Sequence, residues 1–518
     1  MPGPSDHRSV GRVSVRRLTR GALSNAASLF VRIAVNFVLT PFLILYLGNG
    51  PYGVWMTLVT FTLSGSLSFF SFGFQGALIK YVAGYHAVNK LRELNEVFSA
   101  TFLVYTGVAV ACALAMAIFA QYFLTHVFNI PVSSVPAARA ILFVFAVMIV
   151  VELPGLAIRA IIEGLQRYDL LALLDVGRLV VFAGGAWATL HAGRGLLALA
   201  CVMFVSTAVY VVAMGTVARR LVPSVRIVLR GNRATLRELY RLTRDLFILR
   251  VNNLVYDNMD KMIIGAVLTT TLVTDYDIAN RIHGLTLSVM GLAPSVVLPA
   301  ASALDAANDS ERQRQLLLKG SKYAIAMTLP LVVALYVLAD GLIRYWISPQ
   351  YAYVATYARV FLSYMFFWPV IQVGSNMLVG VNQVRSIVRL QTFSVIVNLV
   401  LSIILARYLG VVGPIVGTAV ASLLIVAPYM RLILRTFRVS LADFIRTVAV
   451  PSYVIGLLQA AGLTVLVSVR PPGSLREVGI YLLGSVLTSY VALFLFFVDP
   501  HEKAQFMAVF RRASPTPS

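Results

Sequence analysis

The chain has 518 residues, of which 59% are hydrophobic and only 12% charged, and its formal net charge is +22. Soluble globular chains carry about 25% charged residues, so the balance excludes an ordinary soluble enzyme and points to a membrane protein. The basic residues are spread along the chain rather than gathered on one domain, which excludes a nucleic-acid patch. The two cysteines, Cys112 and Cys201, lie in apolar runs without metal-like spacing and read as buried small residues.

Residues 1–21 form a basic tail carrying Arg8, Arg12, Arg16, Arg17 and Arg20. The apolar stretch 22–47 is longer than a signal h-region and lacks a small-residue cleavage site, so it reads as a retained first span. After the turn Gly48-Asn49-Gly50-Pro51, the second span covers 52–78. Spans three to six follow at 96–122, 137–158, 170–191 and 195–218. Residues 219–243 are the longest polar interval and form a basic cytosolic linker. Spans seven to twelve are expected at 244–268, 276–300, 320–345, 353–379, 387–407 and 411–434. A last pair, 446–469 and 477–498, flanks the turn Arg470-Pro471-Pro472-Gly473, and residues 500–518 read as a disordered cytosolic tail.

Each run can cross a ~30 Å hydrocarbon layer as a helix. The fold expected is therefore an all-α polytopic membrane protein of about fourteen transmembrane helices. An N-lobe (22–218) and a C-lobe (244–437) hold six helices each, and 438–499 hold the final pair. With the N-terminus inside, 31 Lys and Arg fall on inner segments and six on outer ones, which places both termini in the cytosol. The halves look like copies: Tyr52-Gly53-Val54-Trp55 opens span two as Tyr276-Asp277-Ile278-Ala279 opens span eight. A parallel repeat of this kind points to a site between the halves.

Charges at mid-bilayer are costly and normally face protein or a water-filled cavity. In span one, Asn25, Ser28, Arg32 and Asn36 form one stripe at spacings of three and four. Span seven repeats it with Arg250, Asn253, Asp257 and Asp260, with Lys261 beside the stripe; span eight has Asp277, Arg281, Gly284 and Ser288. Span two carries Thr57, Thr60, Ser64, Ser68 and Ser71. No acid occurs in span one, so Arg32 needs water, a distant acid or an anionic ligand. Asp175 and Arg178, three apart, read as a self-satisfied pair, Glu152 as either a proton-linked site or, the plainer reading, a partner of the Pro154 kink, and His283 as a packed histidine. Arginine binds phosphate bidentately and stays charged when desolvated. Arg32, Asn36, Arg250, Asn253 and Arg281 are therefore the expected substrate-binding residues, for an anionic and above all a diphosphate substrate. Asp257, Asp260 and Lys261 are the ion-coupling candidates, for a proton or sodium. No metal site, cofactor or Walker motif is read. The outer loop 123–136 lacks Asp and Glu, which argues against a glycan polymerase or ligase and for a non-enzymatic role.

Leu47-Gly48-Asn49-Gly50-Pro51-Tyr52-Gly53-Val54-Trp55 and Phe72-Gly73-Phe74-Gln75-Gly76-Ala77-Leu78-Ile79-Lys80-Tyr81-Val82-Ala83 resemble the start of polysaccharide-transport flippases. These belong to the multidrug/oligosaccharidyl-lipid/polysaccharide exporter superfamily. Asp257-Asn258-Met259-Asp260-Lys261-Met262-Ile263-Ile264-Gly265 and Tyr276-Asp277-Ile278-Ala279-Asn280-Arg281 extend the likeness, which covers roughly 20–440. It implies a bacterial inner-membrane protein that flips undecaprenyl-diphosphate-linked oligosaccharides by alternating access of two six-helix lobes. It also implies a monomer working among membrane lipids and polysaccharide-assembly proteins. Fourteen spans are similar to the peptidoglycan-precursor flippases, whose last helix pair would give the polyprenyl tail a groove. Drug and cation exporters of the superfamily carry an acid in the first span; Arg32 stands in that span here, which disfavours a multidrug/cation antiporter.

Overall fold

The computed structural model describes residues 15–62, 74–128, 130–228, 252, 258–291, 294–498 and 503, and the regular structure among them is helical. In chain order come α1 (Val15–Leu47), α2 (Asn49–Val59), α3 (Phe74–Ala87), α4 (Leu91–Tyr122) and α5 (Val135–Gly164). Next are α6 (Tyr168–His191) and α7 (Leu196–Leu221), with α8 described over 258–267. Then follow α9 (Leu272–Met290), α10 (Pro294–Ala306), α11 (Ser310–Trp346), α12 (Val354–Ser363), α13 (Trp368–Gly380) and α14 (Val384–Leu409). The chain closes with α15 (Val412–Thr436), α16 (Leu441–Phe444), α17 (Val450–Val469) and α18 (Leu475–Phe497).

Among the described residues ten helices are long and apolar enough to cross a membrane, or eleven if the pair bent by 47° between Phe366 and Trp368 is one span. The other three stretches read as spans, 52–78, 244–268 and 276–300, each include residues outside the described set. So do most of the 219–243 linker and the two tails.

Local chemistry accounts for several ends. Asp309 caps α11 by accepting from the Arg312 amide at 3.0 Å. At α18 the Ser474 hydroxyl accepts from the Glu477 amide at 3.3 Å while Glu477 takes the Gly473 amide at 2.7 Å, so one side-chain pair satisfies two amides that the helix leaves open. The helix α5 outruns the expected 137–158, ending at Gly164. Arg159, read from sequence as part of an inner loop, therefore lies on a helix. Carboxylates on α5 and α6 neutralise it, so the charge does not end the helix.

The Cα packing divides the chain into two compact units, Met1–Thr274 and Asp275–Ser518. In the first, α3, α4 and α7 pack on α5, while α1 packs on α6. Close approach depends on glycine: a Cβ on Gly164 would stand 2.7 Å from the Val82 side chain. The residues after α8 belong to this unit, where the Thr274 hydroxyl donates to the Asn49 carbonyl at 2.8 Å.

In the second unit α11 is the centre for α12, α13, α17 and α18, and α14 pairs tightly with α15. Gly413 and Gly417, four apart, let those two backbones meet; a Cβ on Gly413 would stand 2.2 Å from the Leu405 carbonyl carbon. Of the most apolar stretch of α5, 61% is buried against 11% for α18, so α18 leaves most of its leucines and Phe496 exposed. Cys112 is buried, but Cys201 is exposed on α7, correcting the expectation that both are buried.

Candidate functional site

Charges inside apolar helices locate the candidate site. On α5, Glu152, Arg159 and Glu163 are seven and four residues apart, which puts them on one helix face. That face meets Asp175 and Arg178 of α6 and Thr207 and Tyr210 of α7. Arg159 holds Asp175 with both ends of its fork, Nη1–Oδ1 at 2.8 Å and Nη2–Oδ2 at 3.1 Å. Its Nε donates to Glu163 Oε1 at 2.8 Å, and Nη1 also donates to the Tyr210 hydroxyl. Tyr210 in turn donates to Asp175 Oδ1 at 2.6 Å, and Gln75 Nε2 reaches Glu163 Oε2 at 3.0 Å.

A second pair lies further along α5. Arg178 Nη2 donates to Glu152 Oε1 at 2.8 Å and to the Thr207 hydroxyl at 3.0 Å, while its guanidinium sits 5.3 Å from the Tyr210 ring centroid. The other oxygen of Glu152, Oε2, is buried without a hydrogen-bond partner among the described residues. The expected Asp175–Arg178 pair is thus corrected: each bonds across to α5 instead of along α6. A residue three positions on can be reached, but the fork of Arg159 offers Asp175 two parallel bonds and wins. Glu152 is likewise an ion-pair partner rather than only a neighbour of the Pro154 kink.

Arg32 and Asn36 stand on α1, exposed. Asn36 Nδ2 donates to the Arg32 carbonyl at 2.8 Å, and Thr40 donates to the Asn36 carbonyl at 2.7 Å, so this part of the stripe is satisfied along its own helix. The Arg32 guanidinium makes no ion pair within 4 Å among the described residues; its through-space partner is Asp175, on the helix that packs against α1. Three acids (Glu152, Glu163, Asp175) and three arginines (Arg32, Arg159, Arg178) thus gather in one unit, with Arg32 the loosest member.

The second-half candidates divide. Arg250, Asn253 and Asp257 lie outside the described residues. Asp260 is buried and Lys261 half-buried, both engaged in polar or electrostatic contacts. Arg281 Nε bonds to the buried Asp277 at 2.9 Å, one turn away, so its guanidinium is tied to a carboxylate of its own helix. His283 is packed as expected: it is buried, 2.6 Å from the Tyr364 hydroxyl and stacked on Phe361. In span two, Thr57 and Thr60 donate to carbonyls of their own helix region at 2.9 and 2.6 Å; Ser64, Ser68 and Ser71 lie outside the described residues. Among the described residues no group of three or more His, Cys, Asp or Glu stands where it could hold a metal ion. Between α17 and α18 runs an apolar pocket of about 560 Å³, with Gln459, Gly462, Leu463 and Gly484 in its wall.

Sequence reasoning missed Arg159, Glu163 and Tyr210. The seven-and-four spacing on α5 was a usable signal for an inward polar face, lost because the span was ended one residue before Arg159.

Comparisons with known proteins agree with this architecture. The sequence profile of the family described as "polysaccharide biosynthesis protein" matches residues 47–356. A protein of Haloferax volcanii named "Probable low-salt glycan biosynthesis flippase" is 23% identical over 186 residues, covering 36% of this chain and only 39% of that relative's length. The fold is similar to that of the lipid II flippase MurJ in an inward closed conformation, with a TM-score of 0.67 at 14% identity, covering 92% of this chain and 98% of that one. An inward-facing multidrug resistance MATE family transporter of the MOP superfamily gives 0.63 at 13% identity, covering 79% and 94%. At such identities these two likenesses speak for the fold alone.

Proposed function

The chain belongs to the polysaccharide biosynthesis protein family, and on that premise we propose that it is a flippase for a polyprenyl-diphosphate-linked oligosaccharide. It carries the substrate from the cytosolic to the outer leaflet by alternating access of two repeated lobes, in an inner membrane of bacterial type with both termini in the cytosol. The whole chain has fourteen spans. The anionic headgroup is read by arginines of both repeats, Arg32 with Asn36 from the first and Arg250 with Asn253 and Arg281 from the second. The apolar pocket between α17 and α18 takes the polyprenyl tail.

One observation carries this reading: Arg32 is an exposed guanidinium within an apolar helix, without an ion pair within 4 Å among the described residues. A charge so placed needs water or an anion. The neighbouring Arg159 and Arg178 have carboxylates and serve the scaffold; Arg32 has a more distant one and can exchange it for diphosphate. Arginine suits that role, because its planar fork matches phosphate oxygens and it does not lose its proton. Arg281 gives up Asp277 when substrate binds. Coupling falls to Asp257 or Asp260 with Lys261, through a proton or sodium, or to the membrane potential acting on the anionic substrate.

The test is complementation of a deletion strain. Loss of the protein leaves a lipid-linked glycan accumulating on the cytosolic side; wild type clears it, and Arg32→Glu at normal expression does not. Clearance by Arg32→Glu equal to wild type removes the basis for the reading. A multidrug/cation antiporter, the runner-up, predicts drug resistance from the wild type and none of this accumulation. It is disfavoured because the polar stripe of α1 carries Arg32 and no carboxylate.

A further inference from the structure

At the inner end of α15, Arg431 and Arg435 stand one turn apart on one helix face, and Arg438 follows just past the helix end. All three are exposed, and together with Leu434, Val439 and Leu441 they line a pocket of about 650 Å³. Arginines in a last turn commonly serve the helix by bonding its open carbonyls. Here that work is already done. The Leu432 carbonyl accepts from Thr436 Oγ1 at 2.8 Å. The Ile433, Leu434 and Arg435 carbonyls accept from the amides of Phe437, Val439 and Arg438 at 3.1, 2.9 and 3.4 Å. The chain reverses at Arg438 with φ of +54°, a left-handed conformation that closes the helix through the backbone.

The nearest carboxylate downstream in the chain is taken as well. Asp443 Oδ2 lies 3.1 Å from Arg314 Nη2, and none of the three pocket arginines makes an ion pair within 4 Å among the described residues. Further up the same face, Val420 and Leu424 are exposed, in line with Ala427 and Arg431. Eleven residues of helix rise about 16 Å, close to the ~15 Å hydrocarbon depth of one leaflet. A charged pocket at one end of an apolar track of that length has the shape of a phospholipid.

We propose that this face of α15 with the start of α16 binds one anionic diacyl phospholipid of the inner leaflet, its phosphodiester on Arg431, Arg435 and Arg438 and an acyl chain along Ala427, Leu424 and Val420. Basic pockets at the cytoplasmic ends of spans recognise anionic headgroups in this way. The basic-residue asymmetry places this end in the cytosol. The site goes beyond the flippase reading and stands without it, because neither its chemistry nor its test depends on what is transported.

The experiment titrates purified protein in detergent with phosphatidylglycerol or with phosphatidylcholine of the same chains, and follows binding by native mass spectrometry. Wild type is expected to bind phosphatidylglycerol at least tenfold more tightly than phosphatidylcholine, and R431Q/R435Q/R438Q to lose that preference. Equal affinity for the two lipids in wild type, or an unchanged preference in the triple variant, overturns the proposal. Glycerol phosphate matching phosphatidylglycerol in competition would make this a free-anion site, and displacement by less polyprenyl phosphate than phosphatidylglycerol would make it a substrate dock; either result also overturns it. If the triple variant does not fold, photo-crosslinking of phosphatidylglycerol to wild type decides: adducts on peptides spanning 420–441 support the site, and adducts only elsewhere overturn it.

Discussion

Two half-buried arginines, one in each unit, form ion pairs that differ in kind. In the first, Arg159 reaches from α5 to Asp175 on α6 and shares Tyr210 on α7, so one guanidinium ties three helices. In the second, Arg281 meets Asp277 one turn away on the same helix. A bond between helices fixes their rotation and register. A bond along one helix lowers the charge that helix exposes and does not by itself set the position of a neighbour. The first arrangement suits a scaffold.

That contrast can be broken by substitution. The largest effect is expected for Asp175→Ala, which leaves Arg159 and Tyr210 without their shared carboxylate. Removing one partner of a buried pair costs about 3–5 kcal/mol, so little folded protein should survive size-exclusion chromatography in detergent. A normal elution profile and melting temperature would contradict the role of Arg159 as a brace. Asp277→Ala should cost less, about 1.5–3 kcal/mol, the range of a hydrogen bond to a charged group. The protein should still be purified folded, with a lowered melting temperature; a loss as deep as that of Asp175→Ala would erase the distinction between the units.

A double-mutant cycle sharpens the point. Arg159→Met with Asp175→Leu should recover most of what either single change loses, because two apolar groups replace both charges. Additive losses in thermal melts would show that the two residues act separately. The smallest effect is expected for Thr57→Val. Its hydroxyl bonds to the Gly53 carbonyl of its own helix, and even side-chain bonds across membrane helices average only about 0.6 kcal/mol. Transport and melting should both stay near wild type; a large loss of transport with normal melting would put Thr57 in the substrate path.

Much of this fold was legible because lipid leaves few choices. Apolar runs of span length must be helical, and ten of them are helices long enough to cross among the described residues. Helix ends were less legible. The apolar run of span four ends at residue 158, but the helix continues because the carboxylates that neutralise Arg159 sit on the same and the next helix, a tertiary fact. The same limit hid the partners of Asp175 and Arg178: sequence spacing shows which residues share a helix face, not which face lies opposite. Arg32 was legible as a charge in want of a partner, since no acid occurs in its span. That Asp175 supplies the distant one depends on α1 packing against α6.

The central claim is that Arg32 is kept for the substrate rather than for the scaffold. The measurement that tests it most directly is leaflet accessibility of the lipid-linked glycan in spheroplasts, scored with an impermeant glycan-cleaving enzyme, for wild type, Arg32→Gln and Arg32→Lys. The account predicts unchanged melting of both variants, glycan almost wholly protected with Arg32→Gln, and partial exposure with Arg32→Lys, which keeps the charge without the fork. Glycan as accessible with Arg32→Gln as with wild type would contradict it.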